Sequence, residues 1–215
     1  MRTVAAATAG ARKIRLKSKP VDPGQSTGGE RSLNANRYTD SWSPTARILH
    51  WMMALMIITQ YLTGWIADQM ESSPAKADLM TGHKSLGITV LLLLLLRAAW
   101  RWTHPAPPPP AGTPAWEHRL SAAAHGLLYL LMAAVPLSGW LVASTSIIPW
   151  KYWWLFQWPS IAETDKQLHT AAENAHALLF WILLVVVALH IVAALRHHFI
   201  NNTNVLIRMI KGETK

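Results

Sequence analysis

Residues 176–190 read HALLFWILLVVVALH, an apolar run closed at each end by a histidine. Fourteen residues make nearly four helical turns, so in a helix the two imidazoles share a face, about 21 Å apart along the axis. The surrounding segment, from about Asp165 to His198, exceeds the roughly 20 residues that cross a bilayer. Ionisable side chains inside such a segment are costly, and they mark function more often than structure. This stretch therefore predicts a membrane-spanning helix with two functional histidines at two depths.

Three further segments read the same way: about Ser43 to Ala67, with Ser43 and Pro44 as a helix start, about Ala77 to Trp102 around the run Val90 to Leu96, and about Trp116 to Ser144. The fold class expected is all-α, an integral membrane four-helix bundle. The first connection, Asp68 to Asp78, is short and net acidic. The second holds His104 and the prolines from Pro105 to Pro110. The third, Thr145 to Thr164, carries Trp150, Trp153, Trp154 and Trp158. It reads either as an anchor on the membrane surface, where tryptophan is enriched, or as a lid over a buried centre.

Composition agrees. The 215 residues suit one domain, with 51% hydrophobic and only 14% charged residues, against about 25% charged in a soluble domain. The net charge of +9 does not point to nucleic acid. Nine of the twenty Lys and Arg lie in the first 47 residues, and most others flank apolar runs, a pattern of membrane topology. On that rule both termini and the middle connection are cytoplasmic. Met1 to about Asn36 has no continuous apolar core and reads as a disordered basic cytoplasmic tail rather than a signal peptide. Residues 37–211 form the membrane domain and 212–215 a C-terminal tail. The chain has no cysteine, which removes disulfides, iron–sulfur clusters and covalent c-type haem.

Ten histidines remain for metal or redox chemistry, and four lie in the apolar stretches: His50, His83, His176 and His190. A haem iron with two axial imidazoles needs two of them at one depth on facing helices. His50 opens the first span near the cytoplasm, and His83 opens the second near the outside. His176 is at the outer end of the fourth span and His190 at the inner end. Depth therefore pairs His50 with His190 and His83 with His176, giving two haems one above the other.

Other residues keep two readings each. Gly64, fourteen residues after His50, either admits the outer haem close to the backbone or serves ordinary helix packing. Arg97, fourteen after His83, either meets a propionate of the inner haem or a quinone headgroup, or snorkels to lipid. His169 shares a face with His176 but would stand about 31 Å from His190, so His176 is the preferred ligand. His197, seven residues past His190, is a proton donor to a quinone or an interfacial cap. His125, near the inner end of the third span, either faces the same region as His197 or, the preferred reading, makes a helix-packing hydrogen bond. His104 and His118 carry no specific expectation. Lys84, beside His83 at the outer mouth, would attract a small anion or is a solvated interface residue. It is the candidate catalytic residue.

The stretches Arg47-Ile-Leu-His50-Trp51, Gly82-His83-Lys84-Ser85-Leu86-Gly87, Leu128-Tyr129-Leu130 with Pro136-Leu137-Ser138-Gly139-Trp140, and His176 through His190 to His197-His198-Phe199 resemble the bacterial cytochrome b561 family. The resemblance covers about Asn36 to Lys211. It implies a four-helix cytochrome of the inner membrane with two haem b groups, ligated by His50, His83, His176 and His190, that exchanges electrons with ubiquinone. In one branch superoxide is oxidised at the periplasmic face, and the position of His197 is a quinone-site candidate. The expected activity is therefore that of a superoxide:ubiquinone oxidoreductase, with Lys84 near the superoxide. The alternative is a haem relay subunit between the quinone pool and a periplasmic dehydrogenase or carrier protein. The expected partners are the lipid bilayer, quinone, and superoxide or such a protein. A third possibility, a non-redox transporter or metal sensor, would use the histidines for metal or protons.

Overall fold

A computed structural model describes residues 41–110 and 112–212, so the expected basic tail falls outside the described residues. Among the latter there are four long helices: α1 (Pro44–Gln69), α2 (Pro74–Thr103), α3 (Ala115–Thr145) and α4 (Lys166–Phe199). A two-stranded hairpin, β1 (Lys151–Tyr152) and β2 (Phe156–Gln157), separates α3 from α4. A short helix, α5 (Val205–Ile210), follows α4.

Local chemistry sets the helix starts. Ser43, Ser73 and Asp165 each accept a bond from the backbone N–H three residues on, at 3.3, 3.3 and 2.6 Å. Pro44 and Pro74 follow as first helical residues, where a missing N–H costs nothing. Ser73 is why α2 begins at Pro74 and not at Ala77, where the apolar pattern starts.

Three helices, α2, α3 and α4, are long and apolar enough to cross a membrane. Helix α1 has the length, at 26 residues, but its apolar run is broken by His50, Thr59, Gln60 and Thr63. Apolar side chains point outward over much of the surface, among them Leu92, Leu95, Trp181, Val185 and Leu189. That is the arrangement lipid requires, and water would oppose it.

The long helices pack in chain order: α1 on α2, α2 on α3, α3 on α4. No extended contact joins α1 to α4; side chains reach across instead, including a stacked pair, Tyr61 and Phe180, with ring centres 5.9 Å apart. At the end where α1 starts and α4 finishes, called here the terminus end, α5 closes the ring. Arg47 donates to the Ile210 carbonyl at 2.6 Å and Trp51 to that of Met209 at 3.1 Å.

The opposite, hairpin end differs from a surface loop. Asp78, Ser85 and Thr89 form a polar stripe on α2, and the hairpin docks along it. The Trp153 backbone N–H donates to Ser85 at 2.8 Å, its indole N–H to Thr89 at 3.3 Å, and the Trp154 indole N–H to Asp78 at 3.3 Å. Trp150 packs with Ile88 of α2 and Ala143 of α3. Both turn residues, Trp153 (φ 48°) and Trp154 (φ 61°), are left-handed, a conformation that glycine or asparagine normally supplies in such a turn. The bond to fully buried Ser85 fixes the backbone where the turn's own sequence would not.

Candidate functional site: two imidazole pairs between the helices

The four histidines of the apolar stretches meet in two pairs. At the terminus end His50 of α1 faces His190 of α4, ring centres 6.3 Å apart. At the hairpin end His83 of α2 faces His176 of α4, ring centres 6.4 Å apart. Imidazole nitrogen bonds a metal at about 2 Å, and the ring centre lies about 1 Å behind it, so two rings on one iron have centres about 6 Å apart. Both spacings fit a single metal atom between the rings. Among the described residues no group of three or more His, Cys, Asp or Glu gathers as a metal site. Two paired imidazoles are what an iron porphyrin takes, since it brings four nitrogens of its own.

The hairpin-end rings are oriented by hydrogen bonds. Nδ1 of His83 lies 3.1 Å from the Thr63 hydroxyl oxygen, whose own proton goes to the Thr59 carbonyl. Nδ1 of His176 lies 2.9 Å from the Val135 carbonyl and 3.0 Å from Ser138 Oγ. A carbonyl only accepts, so the proton of His176 sits on Nδ1, and Nε2 is left with its lone pair. That tautomer is the one in which a neutral imidazole binds metal. The helix geometry behind this is local: Pro136 lies inside α3, and the turn around it presents the Val135 carbonyl, Ser138 and Gly139 to one ring.

Glycines make the room. A β-carbon on Gly139 would sit 3.0 Å from Cε1 of His176, and one on Gly64 would sit 3.3 Å from Cε1 of His83. Gly64 thus accommodates an imidazole, where the sequence suggested a haem plane or simple packing. In the Gly82–Gly87 motif, Gly82 lies under Trp154, Ser85 anchors the hairpin, and Gly87 admits the Gln60 side chain.

At the terminus end no hydrogen bond to the ring of His50 or His190 is found among the described residues. His125 of α3 stands beside this pair, its ring centre 5.4 Å from that of His190. Arg97 of α2 donates to the Ala46 carbonyl at 2.8 Å, one turn from His50. Arg101 lies over the Trp42 ring at 4.7 Å. Neither arginine has a carboxylate partner among the described residues, where the Arg ion pair is Arg196 with Glu117.

The remaining candidates fall outside the pairs. His169 bonds the Val142 carbonyl and Thr145, both at 3.1 Å, and reaches Glu173 at 3.3 Å; His83 faces His176, not His169. His197 lies past His190 near the end of α4, with Nδ1 3.3 Å from the Asn201 amide nitrogen. Lys84 is half-buried next to His83 and has no ion pair among the described residues. Sequence reasoning quoted Ser85, Ser138 and Gly139 only within motifs, gave them no role, and did not name Thr63. The available signal was their position: small and hydroxyl residues one helical face away from a histidine on a neighbouring helix.

Apolar helices that carry imidazole pairs between them define a membrane b-type cytochrome, a protein of electron transfer. Residues 41–212 match the model of the family described as prokaryotic cytochrome b561. Two relatives from Escherichia coli (strain K12) agree. Cytochrome b561 homolog 2 is 34% identical over 175 residues, 77% of this chain and 85% of the relative. Cytochrome b561 homolog 1 is 28% identical over 173 residues, 79% of this chain and 96% of the relative. The chain belongs to the prokaryotic cytochrome b561 family, and that membership implies haem b.

Proposed function

We propose that this chain is a four-helix transmembrane cytochrome of the bacterial inner membrane that holds two haem b groups and carries electrons from superoxide to ubiquinone. The observation that carries the reading is the pair of ring spacings, 6.3 Å for His50 and His190 and 6.4 Å for His83 and His176. In this reading α1 also spans, because its His50 must meet His190. The termini are cytoplasmic and the hairpin is periplasmic, as the Lys and Arg distribution favours.

Haem, when bound, supplies a reversible one-electron carrier. The chain supplies the rest. Thr63, Ser138 and the Val135 carbonyl keep the hairpin-end imidazoles in the ligating tautomer. Lys84, held half-buried beside His83, draws a small anion to that end. Each superoxide gives up one electron and leaves as dioxygen. Two such events deliver the two electrons that ubiquinone takes with two protons from the cytoplasmic side. Arg97 meets a haem propionate or the quinone headgroup, and His197 is the candidate proton donor.

A superoxide pulse applied to the purified, haem-loaded protein with added ubiquinone tests the reading. Fast haem reduction followed by quinol formation is the expected result, slowed in Lys84→Gln. Haems that stay oxidised through the pulse would remove superoxide as donor. The second reading, a relay subunit for a periplasmic redox protein, draws on the outward apolar face of the hairpin end, where Trp154, Leu155, Ile147 and Ile148 are exposed. In that case a protein donor reduces the haems and superoxide does not.

A further inference from the structure

We infer that the terminus end holds one anionic phospholipid, with its phosphate on Arg47 and an acyl chain in the groove that runs along α1 beside α5. The inference rests on the proposed reading that α1 spans the membrane.

It begins with the motif Arg47-Ile-Leu-His50-Trp51, of which the imidazole pairs use only His50. Arg47 and Trp51, one helical turn apart, donate to the last two carbonyls of α5, Ile210 and Met209, at 2.6 and 3.1 Å. Together with Pro44, Ile48, Met52, Leu55 and Ile210 they line an open groove of about 460 Å³. Ile48 and Leu55 are more than half exposed, so the groove opens away from the bundle, where the acyl chains of the bilayer lie. From Pro44 to Leu55 it follows α1 for eleven residues, about 16 Å. The hydrocarbon of one leaflet is about 15 Å thick. The lining is apolar except at the terminus end, where Arg47 is its one charged residue.

The protein does not answer that charge. Arg47 has no carboxylate partner among the described residues, where the Arg ion pair is Arg196 with Glu117, and its Nε has no hydrogen-bond partner there. The Ile210 carbonyl and the backbone of Gly212, against which a β-carbon would have no room, hold the guanidinium in place. Arg208 of α5 repeats the pattern: it is 9% exposed, donates to the Pro108 carbonyl at 3.1 Å, and has no partner for its Nε. Among the described residues the terminus end carries seven cations, Arg47, Arg97, Arg101, Arg119, Arg196, Arg208 and Lys211, against one carboxylate, Glu117. An anionic phosphodiester suits this end. Its oxygens accept and the guanidinium only donates, and clustered cations beside a span attract anionic lipid. In a zwitterionic headgroup the ammonium offsets the same phosphate.

The test uses the full-length, haem-loaded protein in detergent, with bound lipid read by native mass spectrometry during titration with phosphatidylglycerol or with phosphatidylcholine of the same acyl chains. One phosphatidylglycerol per chain is expected, held about tenfold more tightly than phosphatidylcholine. Arg47→Gln should weaken it about tenfold and remove the preference, and Arg47→Lys, which keeps the charge, should retain most of it. Met52→Trp fills the groove and leaves the guanidinium alone. It should weaken both lipids, and it carries the test should Arg47→Gln fail to accumulate. Glycerol 3-phosphate should not compete; competition would make free phosphate the ligand and overturn the lipid. Equal binding of the two lipids, or unchanged binding in Arg47→Gln or Met52→Trp, marks an ordinary lipid shell and overturns the inference. Displacement of phosphatidylglycerol by ubiquinone gives the groove to the quinone and overturns it too. Leu55→Cys, in a chain with no other cysteine, separates these failures from that of the spanning reading. In vesicles it should resist a membrane-impermeant maleimide. Labelling there overturns the spanning of α1 and the inference with it, whereas a protected cysteine without selective lipid overturns the inference alone.

Discussion

At the hairpin end, His83 and His176 are each hydrogen-bonded at Nδ1 and each pressed against a glycine, and a hairpin docks on α2 through Ser85. At the terminus end, His50 and His190 stand at nearly the same spacing with, among the described residues, no glycine against them and no such bonds, near Arg97 and beside a third histidine. One geometry is thus reached by two routes. The hairpin-end pair is set by its immediate neighbours. The terminus-end pair is set by how the helix ends are fastened: Trp100 to Ser43 at 3.2 Å, Arg97 to Ala46, Trp51 to Met209 and Arg47 to Ile210. Local substitutions should therefore damage the first pair, and loosening of distant ends the second.

The hardest way to break the comparison is to delete the proposed ligands. Alanine at His83 or His176 should remove one and the same haem, and alanine at His50 or His190 the other, leaving about one haem per chain by pyridine haemochrome assay. A common loss in His50→Ala and His83→Ala would dissolve the two-level scheme. Next come the glycines. Gly139→Ala places a methyl 3.0 Å from the His176 ring, and Gly64→Ala one 3.3 Å from that of His83, so haem occupancy at the hairpin end should fall, more for Gly139. Gly126→Ala in α3 meets nothing within 4 Å and should leave both haems and the melting temperature unchanged.

Ser85→Ala sharpens the contrast from the hairpin side. It leaves the Trp153 N–H without its acceptor at a cost of about 1–3 kcal/mol, read as faster proteolysis between α3 and α4, with the terminus-end spectrum untouched. The smallest effects belong to the hydroxyl partners. Thr63→Val should raise the hairpin-end midpoint potential by removing the acceptor of His83. Ser138→Ala should move it less, because the Val135 carbonyl still holds His176.

The long helices were legible because lipid demands continuous apolar runs, and the caps that end them are local. The observed bounds, Pro44–Gln69 through Lys166–Phe199, lie within three residues of those expected. The facing of His50 with His190 and of His83 with His176 also follows from helix rise and chain direction. The hairpin was not legible. Its turn carries tryptophans where turn chemistry asks for glycine or asparagine, and its anchor, Ser85, lies 68 residues away in the sequence. The one available cue was the stripe Asp78, Ser85, Thr89 on an otherwise apolar helix. His125 reads from sequence as a packing residue, and its Nδ1 bonds the Ser121 carbonyl of its own helix; its ring contact with His190 depends on how α3 meets α4. Gly64 reads as a site for a haem plane or for ordinary helix packing because nothing in the sequence brings the His83 ring against it.

Helices α1 and α4 have no extended contact with each other, yet each contributes to the same imidazole pair. On the proposed ligation by His50 and His190, the cofactor would be a fastener as well as a conductor. Any ligand that binds only the closed form stabilises it in proportion to its supply, so scarcity of haem should leave α1 loosely attached and the polypeptide short-lived. Cellular abundance of this cytochrome would then follow the availability of its pigment, without a dedicated sensor.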